Sequence, residues 1–383
     1  MRIAQIIPGM GIHCGGPSRS VLSLAQGLRD LFVDSDIITN NDIEDPLIAS
    51  EPWIHAVPYH RNYFGYNKAF CAYLRDADYD IFHIHSVYNY TSTIAMRIAR
   101  NRGIPFIVSP RGSLLKSAMS ISSKYKKQLF NKLILINDLS HSSVLHATSD
   151  EEMLDIYSLG VKCPFAVIPN SIKLSTNCYA HDTSVFRIGV CGRINPKKNI
   201  DGIIKAWAHA GMNNVKAELL IIGGAKHEKE MLYLKELHKL EKDLEISNII
   251  WTGPVYGYKQ KELLCSLSAL LLGSHSENFG MVVPESLSLG VPVIASYGTP
   301  WEILQHSNSG WWIDNSVESI ATCLKEVYHL YCEDISVLRE MGNNGIELVK
   351  KNYSQEAVAK QWIDVYTWIL KGGETPPIIN IFK

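Results

Sequence analysis

No apolar run in this 383-residue chain approaches the roughly 18 residues needed to cross a bilayer; ALLLGS and LLIIGG have the length of buried strands. The opening residues, MRIAQIIPGM, lack a basic segment followed by a long apolar one, so no secretory signal is expected. Cysteine is sparse and scattered. The eight, at 14, 71, 163, 178, 191, 265, 323 and 332, never fall in a CxxC spacing, which argues against a disulfide scaffold or a zinc site and for small core thiols in a reducing cytoplasm. Net charge is lacking too: 37 Lys+Arg against 38 Asp+Glu give −1 with His neutral, so nothing favours a nucleic-acid partner. Repeats and low-complexity tracts are missing. A composition of 46% hydrophobic and 20% charged residues is that of an ordinary globular protein. At roughly 150 residues per domain this length predicts two domains, and a cytoplasmic location is expected.

One absence is local. Between Asp80 and Asp138 there is no acidic residue, while Arg97, Arg100, Arg102, Arg111, Lys116, Lys124, Lys126, Lys127 and Lys132 fall there. Such a stretch is either a solvated helix face or a basic patch for an anionic membrane surface or a pyrophosphate-bearing ligand.

What is present is an alternation of short apolar runs with amphipathic segments. RIAQIIP reads as a strand and SRSVLSLAQGLRDL as a helix, with Val21, Leu24 and Leu28 at helical spacing. DSDIITN, IHAVPYH, DIFHIHS, PFIVSPR, SSVLHATS and FAVIPNSI continue the strands, with helices expected near 66–76, 90–102, 123–141 and across EEMLDIYSLG. Residues 173–184 are polar and aperiodic, as a linker is. From FRIGVCGRI the alternation restarts and runs to the helix SVESIATCLKEVYHLY. Continuous apolar strands separated by helices predict parallel sheets covered on both faces. The expected fold class is therefore α/β: two Rossmann-like doubly wound domains, 1–175 and 185–354, facing a cleft. A final segment, 355–383, carries a helix whose Trp362, Tyr366 and Trp368 pack back on the first domain.

Four groups of residues suit chemistry at strand ends. In Glu277-Asn278-Phe279-Gly280-Met281-Val282-Val283-Pro284-Glu285, which follows ALLLGSHS, Pro284 is tolerable only in the first turn of a helix. The backbone around Gly280 and Met281 would then offer N–H groups to an anion, with one carboxylate before the helix and one in its first turn. Each glutamate alone reads as a surface acid; the pair around Phe279-Gly280 reads as a site. Gly192-Arg193-Ile194-Asn195-Pro196-Lys197-Lys198-Asn199 places Arg193 and Lys198 at a strand-to-helix loop, two cations suited to a diphosphate or simply solvated. Gly15-Gly16-Pro17 lets a backbone approach a ligand closely, or is a plain tight turn, but it lacks the GxGxxG pattern of a dinucleotide site. His83 and His85 share one side of their strand, and His85, nearer its C-terminal end, would face the cleft as a substrate contact or serve as a structural histidine. Neither HxxH nor HExxH occurs, so no metal site is expected.

Together, Glu277 and Glu285 around an internal Phe-Gly, preceded by GRxxxxK and an N-terminal Gly-Gly, resemble the family 4 retaining glycosyltransferases of GT-B architecture over nearly the whole chain. The resemblance implies a UDP- or GDP-sugar donor on the C-terminal domain and the acceptor, a glycan or polyprenyl-diphosphate-linked glycan of surface-polysaccharide assembly, on the N-terminal domain. Arg193 and Lys198 would hold the diphosphate, Glu285 the ribose and Glu277 the donor sugar, with Phe279, Gly280 and Met281 beside it. Gly16 would line the phosphate side, Thr252 and Val255 would meet the base, and His85 would contact the transferred sugar. Gly15, Arg111 and Lys116 fall to the acceptor. Glu277, His85, Arg193 and Lys198 form the implied catalytic set. No cofactor or metal is implied, because protein cations already face the leaving diphosphate; the DxD spelling Asp34-Ser35-Asp36 opens a strand far from these motifs. A sugar-nucleotide epimerase or hydrolase on the same architecture would need no acceptor, and the paired glutamates argue for transfer. A catalytically silent sugar-nucleotide-binding module would lack a motif residue, and none is lacking.

Overall fold

The computed structural model describes residues 1–11, 14–42, 44–59, 65–116, 135–174 and 184–382. They form two compact units, Met1–Lys173 with Asn352–Lys383, and Leu174–Lys351.

The first unit holds β1 (Arg2–Ile7), α1 (Gly16–Asp30), β2 (Asp34–Asp42), β3 (Ile54–Tyr59), α2 (Lys68–Asp76), β4 (Ile81–His85), α3 (Tyr90–Arg102), β5 (Phe106–Ser109), α4 (Ile136–Ser140), β6 (Val144–Ala147), α5 (Asp150–Tyr157) and β7 (Phe165–Val167). Its strands lie in the order β14-β7-β6-β5-β4-β1-β2-β3, where β14 (Ile379–Asn380) is the antiparallel member. Helix starts follow side-chain caps: Asn67 accepts from the amides of Ala69 and Phe70, Asn89 from Ser92 and Ser149 from Glu152. The helix expected from 66 therefore begins at 68. Of the helix expected over 123–141, only α4 falls among the described residues.

Alternation along the strands divides the core in two. Ala4, Ile38, Phe82, Ile84 and Val108 pack with Phe70, Leu74 and Ala95 of α2 and α3. On the opposite face Ile3, Ile81, Ile107, Val144 and Ala166 pack with Leu24 and Leu28 of α1 and with Trp362 and Tyr366. These two aromatics belong to α13 (Gln355–Lys371), capped by Ser354, so the last helix returns to the first sheet.

The second unit holds β8 (Phe186–Cys191), α6 (Ile200–His209), β9 (Ala217–Ile222), α7 (Glu228–Asp243), β10 (Ile249–Gly253), α8 (Gly257–Cys265), β11 (Ala269–Leu272), α9 (Val282–Leu287), β12 (Val293–Ser296), α10 (Ile303–His306), β13 (Gly310–Ile313), α11 (Val317–Glu333) and α12 (Ile335–Asn352). Its sheet is parallel, in the order β10-β9-β8-β11-β12-β13. The strand sequence reverses between β8 and β11, and the loops leaving these two strands diverge to opposite faces, the arrangement that opens a ligand crevice in a doubly wound sheet.

Cys71, Cys265 and Cys323 are buried, as small core thiols should be, but Cys14 and Cys332 are exposed: the first lies in a loop and the second near the end of α11, so neither has a core to enter. Cys178 lies outside the described residues. No helix among the described residues is long and apolar enough to cross a membrane.

Candidate active site

In the second unit, the strand ends at the order reversal finish in glycine. Gly192 follows β8, Gly223 follows β9 and Gly273 follows β11. A methyl group on Gly223 would sit 1.8 Å from the Gly192 carbonyl oxygen, so only glycine lets these two backbones touch. The small pocket that results is lined by Cys191, Gly192, Arg193, Lys198, Leu272 and Gly273 among others. After Gly192 the chain makes a short 3₁₀ turn, Pro196–Lys198, in which the Lys197 amide donates to Asn195 Oδ1; Asn199, at φ 55°, then turns it into α6. This tight sequence holds Lys198 at the pocket while Ile194 is buried behind it.

The loop after β11 delivers Glu277 to the same place. Lys198 Nζ donates to Glu277 Oε2 at 2.5 Å, and Ser274 Oγ donates to that oxygen at 3.4 Å. The Glu277 amide donates to the Gly298 carbonyl at 2.8 Å, fixing the loop from the other side. Phe279 is buried and its carbonyl accepts the Trp301 indole N–H. Gly280 has φ 78°, and a Cβ there would lie 2.9 Å from Leu272 Cδ2 and 3.3 Å from Glu277 Cγ. Met281 starts the turn into α9, and Glu285 lies in its first turn. The helix that Pro284 opens is six residues long, Val282–Leu287. A dipole of that length contributes little, so fixed side-chain cations must supply most of any anion affinity.

Arg193 is placed differently from Lys198. Its side chain is 75% exposed and its guanidinium lies 3.7 Å from Glu230, a carboxylate held below its ordinary range by the Lys226 and His227 amides against the opposing effect of burial. The two cations thus border one pocket with one tethered and one extended. Thr252 lies near the end of β10, two strands away, and Val255 just beyond it; the Thr252 hydroxyl donates to the Gly253 carbonyl at 2.9 Å.

In the first unit Gly15 (φ 79°) precedes α1, Gly16 opens it, and both are exposed. Ser18 Oγ donates to the Gly9 carbonyl at 3.0 Å and closes this loop. His85 departs from its expected open position. It is fully buried and both ring nitrogens are engaged, Nε2 with Gln5 Oε1 at 2.8 Å and Nδ1 with an Arg111 nitrogen at 3.0 Å. The reason is its strand: β4 lies at the middle of the sheet, and side chains from β1 and from the loop after β5 close over its end. Arg111 is half-buried, at φ 57°, and its other terminal nitrogen donates to Asn170 Oδ1. Burial lowers its pKa to about 10, while Glu152 opposes the shift through space. Lys116 pairs with Asp155 at 3.0 Å. The neighbouring cations of the acid-free stretch are similarly occupied: Arg97 lies 3.7 Å from Asp138, and Arg102 donates to the Leu74 and Ala77 carbonyls. Lys124, Lys126, Lys127 and Lys132 lie outside the described residues.

Sequence reasoning missed Gln5, Ser109, His146 and Asn170, and took Tyr366 only as core. For Gln5, Ser109 and His146 the signal was a polar residue two positions beyond an apolar one on the same strand face: Ile3 then Gln5, Ile107 then Ser109, Val144 then His146.

Two family models match this chain, the glycosyl transferase 4-like domain over residues 15–171 and glycosyl transferases group 1 over residues 178–348. The chain belongs to the group 1, family 4-type glycosyltransferases. This glycosyltransferase is 23% identical to the alpha-1,3/1,6-mannosyltransferase ALG2 of Kluyveromyces lactis, over 97% of this chain and 86% of that one. It also matches sucrose synthases, for example that of Nitrosomonas europaea, at 21% identity over 59% of this chain and only 31% of the relative's length. Among solved structures it resembles sucrose-phosphate synthase from Thermosynechococcus elongatus, with a TM-score of 0.77 at 17% identity over 97% of this chain and 100% of that one. It also resembles HepE of Anabaena in complex with UDP and glucose, with a TM-score of 0.72 at 16% identity over 96% and 99%. The fold is GT-B.

Proposed function

We propose that this glycosyltransferase takes a sugar from a nucleoside-diphosphate sugar held by the second unit and passes it, with retention, to a glycan or polyprenyl-diphosphate-linked glycan bound by the first. The observation that carries the reading is the meeting of Lys198 and Glu277 at 2.5 Å, from the loops leaving β8 and β11, where the strand order reverses. Breaking a sugar–diphosphate bond gathers negative charge on the leaving group. Lys198 is already held where that charge would develop, and Arg193 extends beside the same pocket, so stabilisation needs little rearrangement. Glu277 holds the Lys198 ammonium and offers its second oxygen to the donor sugar. Glu285, in the first turn of α9, takes the ribose hydroxyls; Gly280 and Met281 line the approach, and Thr252 and Val255 meet the base. Same-face attack, with the departing phosphate oxygen taking the acceptor proton, gives retention. With protein cations facing the diphosphate, the reaction requires no divalent metal. Within the acid-free stretch 81–137, the run Lys124, Lys126, Lys127 and Lys132 has no acidic neighbour in sequence, which supports an acceptor carried on an anionic leaflet, each surface cation adding about 1 kcal/mol of attraction.

The test is a thermal-shift series with UDP, GDP and ADP. One of them should raise the melting temperature, since a ligand bound only by the folded state stabilises it. No shift with any at millimolar concentration would remove the donor reading. Binding to anionic vesicles that weakens with salt, and with Lys124→Glu, Lys126→Glu and Lys127→Glu combined, is expected of the lipid-linked acceptor; no binding by the wild type refutes the membrane part alone.

A further inference from the structure

Seven side chains and one carbonyl of the first unit form a single hydrogen-bonded line beneath α13. Arg111 reaches His85 Nδ1 (3.0 Å); His85 Nε2 meets Gln5 Oε1 (2.8 Å); Gln5 Nε2 meets the Tyr366 hydroxyl (3.2 Å). That hydroxyl meets His83 Nδ1 (2.8 Å), His83 Nε2 meets Ser109 Oγ (2.7 Å), Ser109 Oγ meets His146 Nδ1 (2.7 Å), and His146 Nε2 meets the Ile168 carbonyl (2.7 Å). A guanidinium only donates and a carbonyl only accepts. Read inward from either end, the line has the same polarity: each histidine is neutral, carries its proton on Nε2 and accepts on Nδ1. A second proton on His85 would set donor against donor, and one on His83 or His146 would leave a hydroxyl proton without its acceptor in the line. Between its ends every side chain in the line is buried, and Arg111 is the one member that reaches the surface.

The surface end has the marks of a functional edge. Ser86, Tyr88 and Arg111, none of them glycine, adopt left-handed backbone conformations (φ 73°, 62° and 57°) just after β4 and β5, a strained geometry that tends to gather at ligand sites. Both direct partners of Arg111, His85 and Asn170, are uncharged.

We infer that Tyr366 and Gln5 are positioning residues: through the fixed tautomer of His85 they hold Arg111 as the contact for a phosphate-bearing acceptor. The inference rests on the reading above that the first unit takes the acceptor, but the polarity of the line can be tested without any substrate.

In ¹⁵N-histidine-labelled full-length protein at pH 7.5, His83, His85 and His146 should all show the neutral Nε2–H tautomer; a cation or an Nδ1–H form at any of the three overturns the inference. In ¹⁵N-arginine-labelled protein, the Arg111 signals, identified by their loss in Arg111→Lys, should be resolved and exchange slowly. Tyr366→Phe should abolish the uniform tautomer pattern and speed Arg111 N–H exchange at least tenfold; an unchanged spectrum overturns the positioning role. Gln5→Met should act alike if Tyr366→Phe does not fold. Inorganic pyrophosphate should shift the wild-type Arg111 signals and shift them less in Tyr366→Phe; unmoved wild-type signals refute the phosphate contact. Nucleotide-induced stabilisation of the second unit should be the same in wild type and variant, so a failed donor reading and a failed positioning role give different results.

Discussion

Gly280 has no room for a methyl group. Its φ of 78° is one that other residues adopt at a cost of roughly 1–2 kcal/mol, and a Cβ would press on Leu272 and on the Glu277 stem. Gly280→Ala should destabilise the protein by about 2–3 kcal/mol, read as a lower urea midpoint at unchanged slope, and should weaken nucleotide stabilisation because Glu277 moves with it. Arg193→Ala tests the opposite case. The side chain is 75% exposed, so stability should change by no more than about 0.5 kcal/mol while the melting-temperature rise with the preferred nucleotide is lost. The three buried histidines make a prediction about acid. Burial, with help from Arg111 and the neighbouring rings, holds His83 and His85 well below their ordinary value, and burial takes His146 to about 3. Below pH 6.5 the unfolded chain binds protons that the folded chain refuses, so stability falls as pH falls. His146 alone accounts for about 1.4 kcal/mol per unit down to pH 3. A urea midpoint at pH 5 no lower than at pH 8 would contradict the neutral assignment.

At the level of elements, the parallel strands were legible because each is built on a short apolar run set between amphipathic segments, the pattern of strands covered on both faces. The loop carrying Glu277 through Glu285 was legible because Pro284 fixes where a helix can begin. Helix α12 was not: Gly342, Asn343, Asn344 and Gly345 interrupt its periodicity. The structure explains both glycines, since a Cβ at 342 would lie 2.0 Å from the Gly290 carbonyl and one at 345 would lie 2.8 Å from Leu287; close packing overrides helix propensity there. β14 has two residues, too few for any pattern. The burial of His85 was hidden for another reason: its partner Gln5 is 80 positions away, and nothing local announces the contact. The aromatic stripe of α13 was read correctly as packing, and its weight can be measured. Trp362 is 1% exposed against His83 and His146, with ring centroids 4.4 and 4.8 Å away. Trp362→Ala should cost about 3–5 kcal/mol, far more than Trp368→Ala on the same helix, whose side chain is only half-buried.

For the molecule as a whole, turnover of the sugar ester of whichever nucleotide stabilises the protein should be equal in excess chelator and in magnesium; loss on chelation, restored by a divalent ion, would overturn the charge argument for Arg193 and Lys198. The division of the chain has a temporal consequence. The first unit is made of two segments, Met1–Lys173 and Asn352–Lys383, whereas the second is continuous. On a ribosome working at roughly 5–20 residues per second, the stretch from Leu174 to Lys351 takes on the order of ten to forty seconds to emerge. Throughout that interval the first sheet lacks Trp362 and Tyr366, so the part of its apolar face that α1 does not cover lies open, and the acceptor nitrogen of His83 and the amide of Gln5 wait for a hydroxyl not yet synthesised. The second unit meets no such delay and can close as soon as it leaves the exit tunnel. The nascent first unit should therefore be a chaperone client until α13 has emerged, with protease resistance in stalled chains rising only once residue 371 has cleared the tunnel.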